Sequence, residues 1–295
     1  MKITEQYNAS SLTESTFNRR AFVKGAGFTG LGLAGAALVA GKLGVMDKVP
    51  GAGTFGMKTS SVDAAAITDV DIVNFALNLE YLEAEFYSVV TTGMNLEQRG
   101  FNFTGTGNYG TTTGGSMVDL KTGETTGQLA PTVAEIAADE LEHVTILRAG
   151  LGSAAIAKPA INLNALGTGY ANFQQFLALA RAFEDTGVSA YGAAAPLISN
   201  KDYLSAAVRI GLVEAFHAGN IRLFVAGYNV PTFALDSIDF PPPPTGKQYF
   251  DDDQHALAVV RTPSQVLALA FRNGTPGTKM GGFFPNGVNG NINTV

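Results

Sequence analysis

The 295-residue chain has no cysteine, only three histidines, and charged side chains at just 15% of the total. Without thiols there are neither disulfides nor thiolate ligands. Any metal must be held by oxygen and imidazole nitrogen, a donor set suited to iron, manganese or zinc. A net charge of −6 argues against nucleic acid or an anionic lipid surface as a partner. No convincing glycine-rich nucleotide loop occurs, since the run Gly25–Gly35 sits inside an N-terminal signal. What the chain has in quantity is apolar side chain, 46% of residues, enough for a large core in one substantial domain or two small ones.

Two of the three histidines stand three residues after a glutamate, in Glu140-Leu141-Glu142-His143 and in Glu214-Ala215-Phe216-His217. On an α-helix, residues three apart point to nearly the same side, about one turn apart. A carboxylate and an imidazole so placed can reach one ion beside the helix. Glu80 and Glu184 are the further carboxylates of the pattern, each seven residues before a tyrosine, Tyr87 and Tyr191. The order is therefore Glu…Tyr then Glu-x-x-His, given twice. All of these positions fall on apolar helical stripes, where a carboxylate is costly to bury unless paired or bound to metal. In the assignment that follows, Glu140 with His143 holds one metal and Glu214 with His217 the other, while Glu80 and Glu184 bridge or terminate the pair. Glu83, one turn after Glu80, either replaces it or joins it. Tyr87 and Tyr191 are donors to ligand carboxylates or core aromatics. Glu85 points elsewhere and is expected at the solvated surface. His255, after Asp251-Asp252-Asp253, reads as part of a solvated acidic loop.

Along the chain, Asn18-Arg19-Arg20-Ala21-Phe22-Val23-Lys24 and the uncharged run to Gly41 have the order of a twin-arginine export signal. Residues 1–45 are read as this signal, with an uncleaved transmembrane anchor of marginal length and high glycine content as the competing reading, and 46–66 as a linker. Export would place the protein in the periplasm, at the cell surface or outside the cell. A first helix is expected from Thr68, with Thr68 as N-cap and Asp71 as its capping-box partner. Gly93–Ala130 lacks helical period and reads as a long Gly/Thr-rich insert, with a short β-hairpin and a role as lid or oligomer contact as options. Pro131 suits the first turn of a second helix that Gly150 and Gly152 end. Pro159–Gly169 is expected to run the length of a bundle. The third helix starts near Tyr170 and closes at Pro196, and the fourth spans Lys201–Gly227. Residues 67–230 thus form a four-helix bundle, and 231–295 a Pro/Gly-rich extension packed on it. In that extension Pro241–Pro244 is expected to be extended, Thr262–Phe271 to be a short fifth helix, and Gly274–Val295 to be a packed irregular tail.

The doubled Glu…Tyr, Glu-x-x-His set resembles the ligands of ferritin-like di-iron and di-manganese carboxylate bundles. More narrowly, Asp71–Tyr87 (DIVNFALNLEYLEAEFY) and Gly281–Ile292 (GGFFPNGVNGNI) resemble the ferritin-like family that includes plant and bacterial desiccation-related proteins. The resemblance runs from about Thr68 to the C-terminus. It implies an all-α, ferritin-like antiparallel four-helix bundle holding two metal ions, iron or manganese, with peroxide, dioxygen or ferrous iron as reactant. Ferroxidase-like and manganese-catalase-like activity are both implied, in a context of stress protection. The alternative it keeps open is a non-catalytic stress-related structural or surface protein whose metals stabilise the bundle. A homo-oligomer is compatible with either.

Overall fold

The computed structural model describes residues 67–272 and 274–295; the signal and linker expected over 1–66 lie outside the described residues. Four long helices, α1 (Asp69–Thr92), α2 (Leu129–Leu151), α3 (Phe173–Ala194) and α4 (Lys201–Gly227), make the bundle, and a short α5 (Pro263–Ala270) follows. The all-α bundle expected from the sequence is the observed architecture. Among the described residues no helix is long and apolar enough to cross a membrane.

The helix starts follow from local chemistry. Thr68 Oγ1 accepts from Asp71 N at 3.2 Å while Asp71 Oδ2 accepts from Thr68 N at 2.8 Å, a reciprocal capping box. Asn172 and Asn200 cap α3 and α4 with their side-chain oxygens, and Thr262 with Gln265 repeats the capping box at α5, where Pro263 takes the first position. Pro131 sits in the first turn of α2, and Gly152 caps its end.

Side-chain contacts set the directions. Asn74 Nδ2 donates to Ala154 O at 3.0 Å, and Glu80 faces His143, so α1 and α2 are antiparallel. Phe173 packs on Tyr228 and Gly187 on Glu214, so α3 and α4 are antiparallel. Tyr87 hydroxyl donates to Glu184 and Tyr191 hydroxyl to Glu80, which sets α3 antiparallel to α1. Helices α2 and α3 therefore point the same way, and the connection between them has to return the length of the bundle, as expected.

The insert does not form a hairpin. Its two-residue strand β1 (Thr112–Thr113) pairs in parallel with β2 (Ile161–Asn162) of the α2–α3 connection, in register Thr112 to Ile161. Both segments run the same way along the bundle, so their pairing is parallel. The glycines of the insert permit this closeness: a Cβ on Gly110 would lie 2.3 Å from Ala160 N. The C-terminal tail closes over the same region, with Asn289 donating to Asn108 O and Ala157 O while Asn78 and Asn289 bond reciprocally. Phe283 and Phe284 of the tail are buried. The tail is packed and irregular, as expected.

These layers bury α1 on every side from Ile72 to Val90, and they overturn the expectation for Glu85. That residue is 0% exposed. Its carboxylate accepts from Leu96 N at 2.9 Å and lies 3.2 Å from Lys158 Nζ, itself buried and 2.8 Å from both Glu97 and Thr112 Oγ1. The insert covers the face that a bare four-helix bundle would leave in water. The segment Pro241–Pro244 also differs from expectation: it turns, with a cis peptide at Pro243–Pro244. Three buried arginines hold the extension to the bundle. Arg181 pairs with Asp185 and with Asp239 of the extension, Arg222 pairs with Asp185 and donates to the Phe240, Gln248 and Tyr249 carbonyls, and Arg261 of the extension pairs with Asp236 and donates to Ser189 Oγ.

Candidate metal centre

The six residues singled out by spacing meet inside the bundle, and all are buried. Ligand atoms of Glu80, Glu140, His143 and Glu214 lie within 4.8 Å of one another, as do those of Glu140, Glu184, Glu214 and His217. The two imidazole rings are 6.1 Å apart, centre to centre. Glu140 and Glu214 belong to both groups; Glu80 goes with His143, and Glu184 with His217. Each Glu-x-x-His pair thus shares a group, as the sequence division expects, and each of its glutamates belongs to the other group as well. Because α2 and α4 run antiparallel, Glu140 faces His217 (Nδ1 to Oε1, 2.9 Å) and Glu214 faces His143 (3.1 Å), closer than the 3.5 Å between His143 and its own Glu140. The carboxylates common to both groups are those of the Glu-x-x-His motifs, while Glu80 and Glu184 each belong to one.

His143 Nδ1 has oxygens of Glu80, Glu140 and Glu214 at 3.1–3.5 Å. None meets hydrogen-bond geometry, and one N–H can serve only one acceptor well. Eight buried atoms of this cluster are without a hydrogen-bond partner: Glu80 Oε2, both oxygens of Glu140 and of Glu214, Glu184 Oε2, and Nδ1 of each histidine. Buried polar atoms are rarely left so. Donors about 2.1 Å from one ion at right or tetrahedral angles stand about 3.0–3.4 Å apart, which is the spacing found here. Carboxylate oxygen and imidazole nitrogen suit iron or manganese, so the residues present fit the metal pair that the sequence pattern implies.

The electrostatics agree. Burial pushes Glu184 up to about 7 and raises Glu80. Glu214 is held well above the ordinary range by burial and then by the charge of Glu140. Burial opposes protonation of His217, yet Glu140 and Glu184 push it up to about 12, and Glu80 with its neighbours raises His143 in the same way. Against burial, the two imidazoles bring Glu140 down to about 2. The cluster is a site that demands positive charge, which two divalent ions would supply in place of protons.

Around this shell stand the other residues that sequence singled out. Tyr87 and Tyr191 are hydrogen-bond donors to carboxylates, each to the glutamate of the opposite helix. Glu83 lies beside the cluster but in neither ligand group. Burial, and then the charges of Glu214, Glu140, Glu184 and Glu80, hold its carboxyl well above the usual range. One functional position went unread in the sequence: Asp139, 43% exposed, lies 3.2 Å from His217 Nε2, where it orients the ring. Its only sequence signal is adjacency to Glu140. A third acidic group, Asp185, Asp239 and Asp251, is occupied by arginines and is structural. His255 lies exposed, outside every candidate metal group among the described residues.

A family model described as ferritin-like domain matches residues 68–227, from the N-cap of α1 to the last residue of α4. No curated protein matches the chain.

Proposed function

The chain belongs to the ferritin-like domain family, and on that footing we propose that it is an exported di-metal protein, binding two iron or manganese ions for redox chemistry on peroxide, dioxygen or ferrous iron. The observation that carries the reading is the set of eight buried, unpartnered donor atoms on Glu80, Glu140, His143, Glu184, Glu214 and His217. In this reading Glu140 and Glu214 are shared by both ions. Glu80 with His143, and Glu184 with His217, complete the two ends. Four carboxylates and two neutral imidazoles balance two divalent charges, so the occupied site is neutral and its burial tolerable. A pair of redox-active ions supplies two-electron exchange with peroxide or dioxygen. Tyr87 and Tyr191 hold Glu184 and Glu80 in place through their hydroxyls, and Asp139 fixes the tautomer of His217. The twin-arginine-like N-terminus supports export of a folded, metal-loaded protein, and the resemblance to desiccation-related proteins supports a role in stress protection.

Elemental analysis of the purified protein tests the reading first, with two iron or manganese ions per chain expected. Peroxide decomposition and ferrous oxidation assays then separate a catalytic centre from a stabilising one. A chain that takes up no metal after reconstitution ends the proposal. Replacing Arg19 and Arg20 with lysine should abolish export by the twin-arginine route.

A further inference from the structure

The C-terminal extension and α5 do not lie flat on α1 and α3. Between them is a cavity of about 660 Å³, within the range of roughly 300–1,000 Å³ typical of small-molecule sites. Leu79, Leu82, Leu179, Ala182 and Phe183 form its inner walls, and exposed Phe233 and Arg272 lie at its mouth. At its inner end are Glu83 and Gly187. Glu83 is 4% exposed and makes no hydrogen bond. Gly187 presents only backbone: a Cβ there would stand 2.4 Å from Glu214 Oε2 and 3.3 Å from Glu83 Oε1. The cavity therefore ends against the carboxylates of the cluster, with the Glu83 carboxyl in its lining. A glycine inside a helix costs about 1 kcal/mol against alanine, and here close approach is the reason for it.

We propose that this cavity binds an uncharged, predominantly apolar organic molecule with one hydroxyl group, presented to Glu83 beside the metal centre; the choice of an uncharged ligand rests on the di-metal reading, the cavity itself does not. Leucine, alanine and phenylalanine walls reward apolar surface. A hydroxyl both donates and accepts, so it satisfies the Glu83 carboxyl whether or not that group carries its proton. With two divalent ions neutralising Glu80, Glu140, Glu184 and Glu214, no net charge remains beside Glu83 to offset burial of an anionic or a cationic head.

Calorimetric titration of the metal-loaded full chain with 1-decanol, at several temperatures, is the test. Saturable one-to-one binding with a negative heat-capacity change is expected, and decanoate should bind at least tenfold more weakly. Ala182→Phe fills the inner wall and should weaken decanol binding at least tenfold while metal content stays at the wild-type level. Ala268→Phe, on α5, fills the same space from the opposite wall and serves if the first variant does not fold. No binding of decanol, or equal binding to wild type and both variants, overturns the proposal. Metal analysis of the same samples keeps the two readings apart. A metal-free chain that binds decanol retains the cavity and loses the di-metal reading, and a metal-loaded chain indifferent to decanol does the reverse.

Discussion

The α1–α2 half and the α3–α4 half of the bundle carry the same chemistry in different settings. Each supplies a glutamate belonging to one group, a Glu-x-x-His pair and a tyrosine seven residues after the first glutamate, and each tyrosine reaches across to the other half. The halves part at one position inside the site. Three residues beyond Glu80 stands Glu83; three beyond Glu184 stands Gly187, whose missing side chain leaves room for the Glu83 and Glu214 carboxyls. They also part outside it. The insert covers the Glu85 face of α1, whereas α3 is held by an arginine–aspartate network, and both helices line the cavity. Matched ligands can thus sit in unmatched surroundings, and the asymmetry gives the centre one apolar approach.

The comparison breaks most visibly at the shared carboxylates. Glu140→Ala removes an oxygen pair common to both ligand groups, so metal content should fall from two ions per chain toward none by elemental analysis. Glu184→Ala removes a terminal ligand and should leave about one ion on the Glu80–His143 side. Equal losses in the two variants would refute the distinction between shared and terminal glutamates.

Next in size is a change confined to the wrapped side of α1. Lys158→Met strands the buried carboxylate of Glu85, beside the half-buried Glu97, and should cost about 3–5 kcal/mol in denaturant unfolding. Metal content should be unaltered, because neither carboxylate belongs to a ligand group. A cost below about 1 kcal/mol would mean that the ion pair is poorly coupled to the fold.

Gly187→Ala sharpens the contrast at the site itself. Helix propensity alone favours alanine by about 1 kcal/mol, but the new Cβ would meet Glu214 Oε2 at 2.4 Å. The expected result is the opposite sign: a loss of about 1–3 kcal/mol from overpacking, with weaker metal binding in a chelator competition. Stabilisation with unchanged affinity would show that Glu214 can move aside freely.

Effects of similar size should come from the crossed tyrosines. Tyr87→Phe and Tyr191→Phe each delete one hydrogen bond to a carboxylate, worth about 1.5–3 kcal/mol, and should lower metal affinity about tenfold or more. Near-equal effects are expected from near-equal geometry. A large difference, measured by thermal melting with and without chelator, would show that the halves are equivalent in pattern only.

Much of the bundle was legible beforehand because its signals are local. The capping box of Thr68 and Asp71, the glutamate–histidine spacing on α2 and α4, and the N-capped, proline-led start of α5 each depend on residues within one or two helical turns. Convergence of six ligands could be read because every one lay on an apolar stripe, where an unpaired charge is costly. Which carboxylates are common to both groups could not be read. That depends on which residues of α2 face α4, and so on helix direction. Glu85 was misplaced for a related reason: helical period locates a face, but the Gly/Thr-rich insert that covers this one carries no period of its own.

By itself, then, the sequence determined the helices, their inward faces and the donor chemistry of the centre, since backbone hydrogen bonding and 3.6-residue geometry act over short stretches of chain. Tertiary structure alone decided that Glu140 and Glu214 are held in common, that Lys158 meets Glu85, that Arg181 and Arg222 share Asp185, and that a cavity ends at Glu83 and Gly187. Each of these joins residues from separate elements, and which elements touch is settled only when the whole chain packs.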